Sequence, residues 1–292
     1  MTDPVQLERR WTDRVRASRE QVDRVRELPD GPDFYRPVTS LFVADPHRRD
    51  DPVLDAVLAH ARPGDVWLDV GAGAGRYALP LALRVREVIA LDPSPGMLDA
   101  LAVGAAQHGI PNVRAIRGRW PEAAGELGPA PTAEAALIAH VGYDVEAIGP
   151  FVRALEDAAG RLCVAILMDR SPATIAFPFW PLVHGEERVP LPSLPDFVEL
   201  LEARGARPEV AYASHEIRRF DSRDQLAGFI RRQLWVAEGG ARDRRMQEAL
   251  DDWLVSDGDG VRLRDQPTLS IGVVTWPPRP RAAPGGDRSG PD

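Results

Sequence analysis

From Trp67 to Tyr77 the chain reads WLDVGAGAGRY, and its three glycines fall at every second position, Gly71, Gly73 and Gly75. Glycine carries no Cβ, so such a run marks a sharp turn at which backbone comes close to a small ligand. The spacing differs from the G-x-G-x-x-G of dinucleotide sites, where a pyrophosphate rests on a helix N-terminus. An acid, Asp69, stands two residues before the first glycine. A carboxylate there opposes a pyrophosphate and suits a ligand that carries an ammonium or sulfonium group. A second acid, Asp92, ends the next apolar run, the place from which a carboxylate accepts hydrogen bonds from both ribose hydroxyls of an adenosine. The two acids together imply an adenosine-containing ligand with a cationic end.

These residues need a scaffold that delivers both acids to one edge. Apolar runs at Val66–Val70, Val88–Leu91, Val113–Ile116, Ala135–Ala139 and Leu162–Met168 predict buried strands. Helix-compatible stretches lie between them, at Arg76–Arg86, Pro95–His108, a short Pro121–Glu126 segment and Val145–Ala159. This alternation predicts an α/β fold with right-handed crossovers, a Rossmann-like doubly wound sheet covered on both faces. Further strands at Glu209–Arg218 and Thr268–Trp276 bring the sheet to seven, the last expected antiparallel beside Leu162–Met168. Ahead of the alternation, Leu7, Trp11, Val15, Ser18, Val22 and Val25 space an amphipathic helix that ends near Pro29, and a second helix is expected over Pro52–His60. The proline- and aromatic-rich stretch Ser171–Pro195 reads as an ordered lid loop, followed by helices at Pro195–Arg204, Asp221–Ala237 and Ala241–Val255. Residues 1–50 then form an N-terminal helical cap segment, 51–276 the main domain with a helical insertion at 221–256, and 277–292 a disordered tail.

At two stretches the chain resembles a known family. LDVGAGAG (Leu68–Gly75) resembles the first motif of the class I S-adenosylmethionine-dependent methyltransferases, and VIALDPSPGMLDAL (Val88–Leu101) is similar to their second-strand acid with its Ser-x-x-Met-Leu turn. The likeness runs from about Pro63 to Arg170. It implies S-adenosylmethionine as cofactor, with Asp69, Gly71, Gly73 and Gly75 along its methionine part, Asp92 on the ribose, and Pro93 and Met97 flanking the adenine. One position departs from the family. Where many members place an acid on the adenine amino group, this chain reads Ile116-Arg117-Gly118-Arg119-Trp120. The adenine contact then falls to backbone near Gly118 and Arg119, with Trp120 stacking on the base or closing the site.

Methyl transfer from a sulfonium is an in-line displacement that depends chiefly on alignment and exclusion of water. A base is required only where the acceptor atom carries a proton. The loop after the fourth strand, AHVGYD, offers His140 and Tyr143 as catalytic candidates, His140 also lying beside the cofactor. The lid stretch WPLVHGEER offers Trp180 and His184 on the acceptor side, with Glu186, Glu187 and Arg188 as a solvated face. Trp180 or His184 is expected to face the transferred methyl group.

Composition narrows the acceptor. The 292 residues carry a formal charge of −8, which opposes a polyanionic partner, and all 36 cations are arginine, which excludes lysine chemistry. The fourth-strand loop holds no Asn/Asp-Pro-Pro-aromatic motif for planar amino groups, no Pro-Cys pair occurs, and no closely spaced His/Cys/Glu set suggests a metal. Cys163 lies in an apolar run and reads as a structural thiol. A small-molecule acceptor is left, methylated on an O, N or C atom. An RNA or protein methyltransferase, and a cofactor-binding protein without catalysis, stand as alternatives. With no membrane-length apolar run and no signal-peptide layout, the protein is expected in the cytoplasm, as a monomer or homodimer.

Overall fold

The apolar runs of the first half of the chain form strands as expected, buried at Val66–Val70 and Val88–Leu91, whereas the run at Val113–Ile116 forms a partly exposed strand because it lies at the edge of the sheet. A computed structural model describes residues 3–29, 33, 36–214, 217 and 219–279. Its strands are β1 (Val66–Val70), β2 (Glu87–Asp92), β3 (Val113–Arg117), β4 (Ala133–Ala139), β5 (Ala159–Met168), β6 (Glu209–Ser214), β7 (Leu254–Asp257), β8 (Gly260–Leu263) and β9 (Ser270–Trp276). The α-helices are α1 (Pro4–Val25), α2 (Pro52–Leu58), α3 (Ala78–Ala82), α4 (Pro95–Gln107), α5 (Ile148–Ala158), α6 (Phe179–His184), α7 (Leu194–Ala203), α8 (Arg223–Leu234) and α9 (Ala241–Trp253).

The main sheet has seven strands in the order β3-β2-β1-β4-β5-β9-β6. Strands β1 to β5 pair in parallel, and β9 runs antiparallel between β5 and β6, with Cys163 opposite Trp276 on one side and Glu209 opposite Thr275 on the other. The expected antiparallel final strand is therefore found, in the interior of the sheet. The order reverses at β1, since the chain builds outward through β2 and β3 and returns on the far side of β1 with β4. Ligands of open α/β sheets bind beyond the carboxyl ends of the strands at such a reversal.

Two hydrophobic layers cover the sheet. On one face α1, α5 and α7 bury Trp11, Phe151, Phe197 and Trp276, with Trp11 and Trp276 each edge-on to Phe197 at 6.4 and 5.8 Å. On the other, α2, α3 and α4 bury Leu54, Leu79 and Leu101 against Trp67 and Val164. A third, satellite core gathers the end of α1 (Val22, Val25) with α6, α8, α9 and the β7–β8 hairpin. It grows from the segment that leaves the carboxyl end of β5. The Cys163 thiol is buried, and burial raises its pKa, in keeping with a structural role. No helix among the described residues is long and apolar enough to cross a membrane.

Several sequence expectations differ in detail. Ser171–Pro195 is loop only in part: it forms a 3-10 turn at Pro172–Ala176 and then α6, and is irregular from Gly185 to Ser193. Pro172, Pro181 and Pro195 fall in first turns, where backbone N–H groups have no intrahelical partner to lose. The helix expected over Arg76–Arg86 shortens to α3, Pro121–Glu126 is a 3-10 turn at Glu122–Leu127, and Arg36–Leu41 adds another such turn. The helix expected to reach Val255 stops at Trp253, because Asp257-Gly258-Asp259-Gly260 makes a tight turn, with Gly258 at φ +62°, and folds the flanking residues into the hairpin. Of the strand expected to reach Arg218, residues 215, 216 and 218 lie outside the described residues, as do 280–292 of the expected tail.

Candidate cofactor site

All five residues of β1 are buried, so Asp69 is carried into the sheet by its neighbours, one residue before the strand ends and the glycine turn begins. The turn is left-handed at Gly71, Gly73 and Gly75 (φ +75°, +54° and +87°), a conformation costly for residues with a Cβ. The N–H groups of Gly71 and Ala72 both donate to the Leu91 carbonyl, at 2.7 and 3.1 Å, and tie the turn to the end of β2. The three glycines serve different ends. A Cβ on Gly71 would stand 2.5 Å from Val141 Cγ2, and one on Gly75 2.8 Å from Leu79 Cγ, so these two admit close packing. A Cβ on Gly73 would meet nothing nearer than Met97 Sδ at 3.9 Å. Gly73 alone of the three has room for a Cβ, in ordinary contact with Met97.

Asp69 is 1% exposed, and its Oδ1 is buried without a hydrogen-bond partner. Burial first, and the Asp92 charge second, push its pKa up to about 7. An unpaired buried carboxylate is costly for the fold unless a cation or donor arrives. Asp92 is better satisfied: Oδ2 accepts the Gly73 N–H and Oδ1 the Ser94 N–H, both at 2.8 Å. Burial raises its pKa, the two hydrogen bonds oppose the rise, and the nearby Asp33 charge adds to it. Each Asp92 oxygen keeps a further lone pair for a ligand hydroxyl. An orphaned acid for a cation, a bare backbone at Gly73 and an acid at the second strand end fit S-adenosylmethionine.

Around these, Ser94 caps α4 through the Met97 N–H at 3.1 Å, which buries Met97 and leaves Pro93 exposed. The Gly118 N–H donates to the Asp92 carbonyl at 3.1 Å, bringing the end of β3 to the site, while the Arg119 residue is exposed. The Trp120 indole turns away. It is buried in the core beneath α5, its Nε1–H donating to the Phe151 carbonyl at 3.2 Å, so it neither stacks on a base nor closes the site.

His140 and Tyr143 stand at the carboxyl end of β4, on the other side of β1. His140 is half-buried with φ +56°, unusual for a residue with a side chain. The Tyr143 hydroxyl accepts the Met168 N–H at 2.7 Å, and burial pushes its pKa well above the ordinary phenol value. Trp180 and His184 belong elsewhere. Trp180 has no exposed surface and fills the satellite core, with the His184 ring at 4.5 Å and the Arg188 guanidinium at 4.7 Å from its ring. His184 Nε2 lies 2.9 Å from the Leu234 carbonyl, and burial lowers its pKa. Aromatics placed in proline-rich sequence fit a cavity wall and a core equally well, and here the ends of α1, α8 and α9 claim them. The residues that the sequence reading missed are Ser94, Val141 and Asp33. Ser94 before Pro95 was a legible helix cap, whereas nothing local marks Asp33.

Residues 68–173 match the family of methyltransferase domains. Over 117 residues the chain is 33% identical to a Methanothermobacter thermautotrophicus protein assigned as a cobalt-precorrin-6B C(15)-methyltransferase (decarboxylating). That match takes in 39% of this chain and 59% of the archaeal protein, so the chain spans about three fifths of that relative's length. Two solved structures share the fold. The YcgJ protein of Bacillus subtilis is 18% identical with a TM-score of 0.53, covering 78% of this chain and 99% of that one. A candidate methyltransferase from Bacillus halodurans is 14% identical with a TM-score of 0.53, covering 77% and 97%. The family match opens one residue before Asp69 and runs past Tyr143, so the matched methyltransferase domain takes in both the glycine turn and the loop after β4.

Proposed function

We propose that this enzyme moves the methyl group of S-adenosylmethionine to a small-molecule acceptor by in-line displacement, at the carboxyl edge between β1 and β4. One observation carries the reading: the buried, unpartnered Asp69 oxygen at the end of the strand that leads into the glycine turn. Asp69 holds the cationic end of the cofactor, Gly71, Gly73 and Gly75 lie along its methionine part, and Asp92 accepts from the ribose hydroxyls. Pro93, Met97 and the backbone at Gly118 and Arg119 flank the adenine. The bound cofactor supplies an already activated methyl group.

The protein then has to align the acceptor and exclude water. Tyr143 keeps its proton, since burial holds the phenol neutral, and it orients the acceptor as a hydrogen-bond donor. His140 takes the proton where the acceptor atom carries one. The satellite core follows the carboxyl end of β5 in the chain, and such added material beside a sheet edge supports an enclosed small molecule over a flat macromolecular surface. The net charge of −8 points the same way.

The test is transfer of isotope-labelled methyl from S-adenosylmethionine into a cell extract separated into small-molecule, RNA and protein fractions. Label is expected in the small-molecule fraction. Label in RNA or protein would replace the proposed acceptor class, and cofactor binding without transfer to any fraction would favour a non-catalytic role.

A further inference from the structure

Asp92 does not hold its orientation alone. Its Oδ1 accepts the Ser94 N–H at 2.8 Å, and the Ser94 hydroxyl in turn donates to Asp33 Oδ1 at 2.8 Å. The other Asp33 oxygen accepts the Gly96 N–H at 2.9 Å, in the first turn of α4. A carboxylate 61 residues upstream of Ser94 thus grips both the residue after Pro93 and the turn that carries Met97.

Asp33 is built in rather than laid on the surface. Its side chain is 8% exposed, and a Cβ on Gly96 would come within 3.0 Å of Asp33 Oδ2 and 3.2 Å of the Arg36 Cα, so a side chain there would have to push this contact apart by a few tenths of an ångström. Arg36 contributes both an ion pair, its Nε 3.8 Å from Oδ2, and its backbone N–H, which donates to Oδ1 at 3.3 Å. Ser94 caps α4 through the Met97 N–H, and Asp33 supplies the acceptor for the Gly96 N–H. A second, negatively charged acceptor buried near Asp92 is costly electrostatically, since it raises the Asp92 pKa. A neutral asparagine would accept the same N–H without that cost.

We propose that Asp33 is a positioning residue for the cofactor: through Ser94 and Gly96 it sets the Asp92 carboxylate so that its remaining lone pairs meet the ribose hydroxyls. The relay runs Asp33, Ser94, Asp92, Gly73, and makes the N-terminal segment part of the cofactor site. This rests on the reading of Asp92 as the ribose acid.

The test is a double-mutant cycle on binding of S-adenosylhomocysteine to the full chain, by calorimetry, with Asp33→Asn, Asp92→Asn and the double variant. Asp92→Asn should weaken binding at least about tenfold, and Asp33→Asn about three- to tenfold, the worth of one hydrogen bond. Added to Asp92→Asn, the Asp33 change should cost less than about twofold, because its target is gone. 5′-Methylthioadenosine, which keeps the ribose and lacks the amino-acid end, should show the same ratios. Ser94→Ala breaks the same link from its middle and should reproduce the Asp33→Asn loss, including where Asp33→Asn fails to fold. Wild-type affinity in Asp33→Asn or Ser94→Ala beside a weakened Asp92→Asn would overturn the proposal, as would losses that add in full. Wild-type affinity in Asp92→Asn would instead remove the ribose assignment on which it rests.

Discussion

Replacing Asp69 by Asn should stabilise the ligand-free protein while disabling it. The ordinary carboxyl pKa is 3.8, and burial with the Asp92 charge lifts that of Asp69 to about 7 in the folded chain. A gap of about three units at 1.36 kcal/mol each is about 4 kcal/mol. The sign follows from proton binding. The folded state holds this proton more tightly than the unfolded state, so the contribution is fully favourable below pH 3.8, is lost as pH rises to about 7, and changes no further above it. Asparagine has the same shape and cannot ionise, so it escapes the loss. At pH 8 the variant should gain roughly 2–4 kcal/mol, on the order of 5–10 °C in the unfolding midpoint, and at pH 4 the gain should shrink to near zero. Thermal unfolding of both proteins at the two pH values, with calorimetric titration of S-adenosylmethionine, measures both effects. A variant destabilised at pH 8, or one that binds the cofactor as wild type does, would show that the Asp69 oxygen has a structural partner and would refute the reasoning.

The same acid predicts that cofactor uptake releases a proton. A cation binds the ionised form, so affinity should rise from pH 6 to pH 8, and binding heats below about pH 7 should depend on the ionisation enthalpy of the buffer; affinity flat across that range counts against it. Gly73→Val should fold, with unchanged circular dichroism, and lose cofactor binding, because its side chain enters the open face of the turn; binding within about twofold of wild type would show that the cofactor lies elsewhere. Trp180→Ala should cost about 3–5 kcal/mol of stability, as for a fully buried aromatic, with any loss of transfer following the loss of folded protein. A variant of normal stability that selectively loses transfer would return Trp180 to the acceptor site.

The cofactor end of the site was legible because its logic is local. Asp69 and Asp92 each close a buried strand, the glycines follow within six residues of Asp69, and alternating strands and helices carry both acids to one edge. Chain direction was legible for the same reason, as the break in alternation after β5 left room for β9 to return antiparallel. The acceptor side was not. Trp120 and Trp180 are equally good as a cavity wall or as a core, and their neighbours in space come from α5 in one case and from α1, α8 and α9 in the other.

By itself the sequence determined the seven-stranded sheet, its antiparallel last strand and the acids at two strand ends, since those follow from periodicity and from residues adjacent along the chain. Only the tertiary structure decided which glycine has room for a side chain, which aromatics are core, and that Asp33 reaches Ser94 and Gly96. These depend on contacts between segments tens of residues apart, and packing there is set by the shape of the partner, which no local pattern encodes.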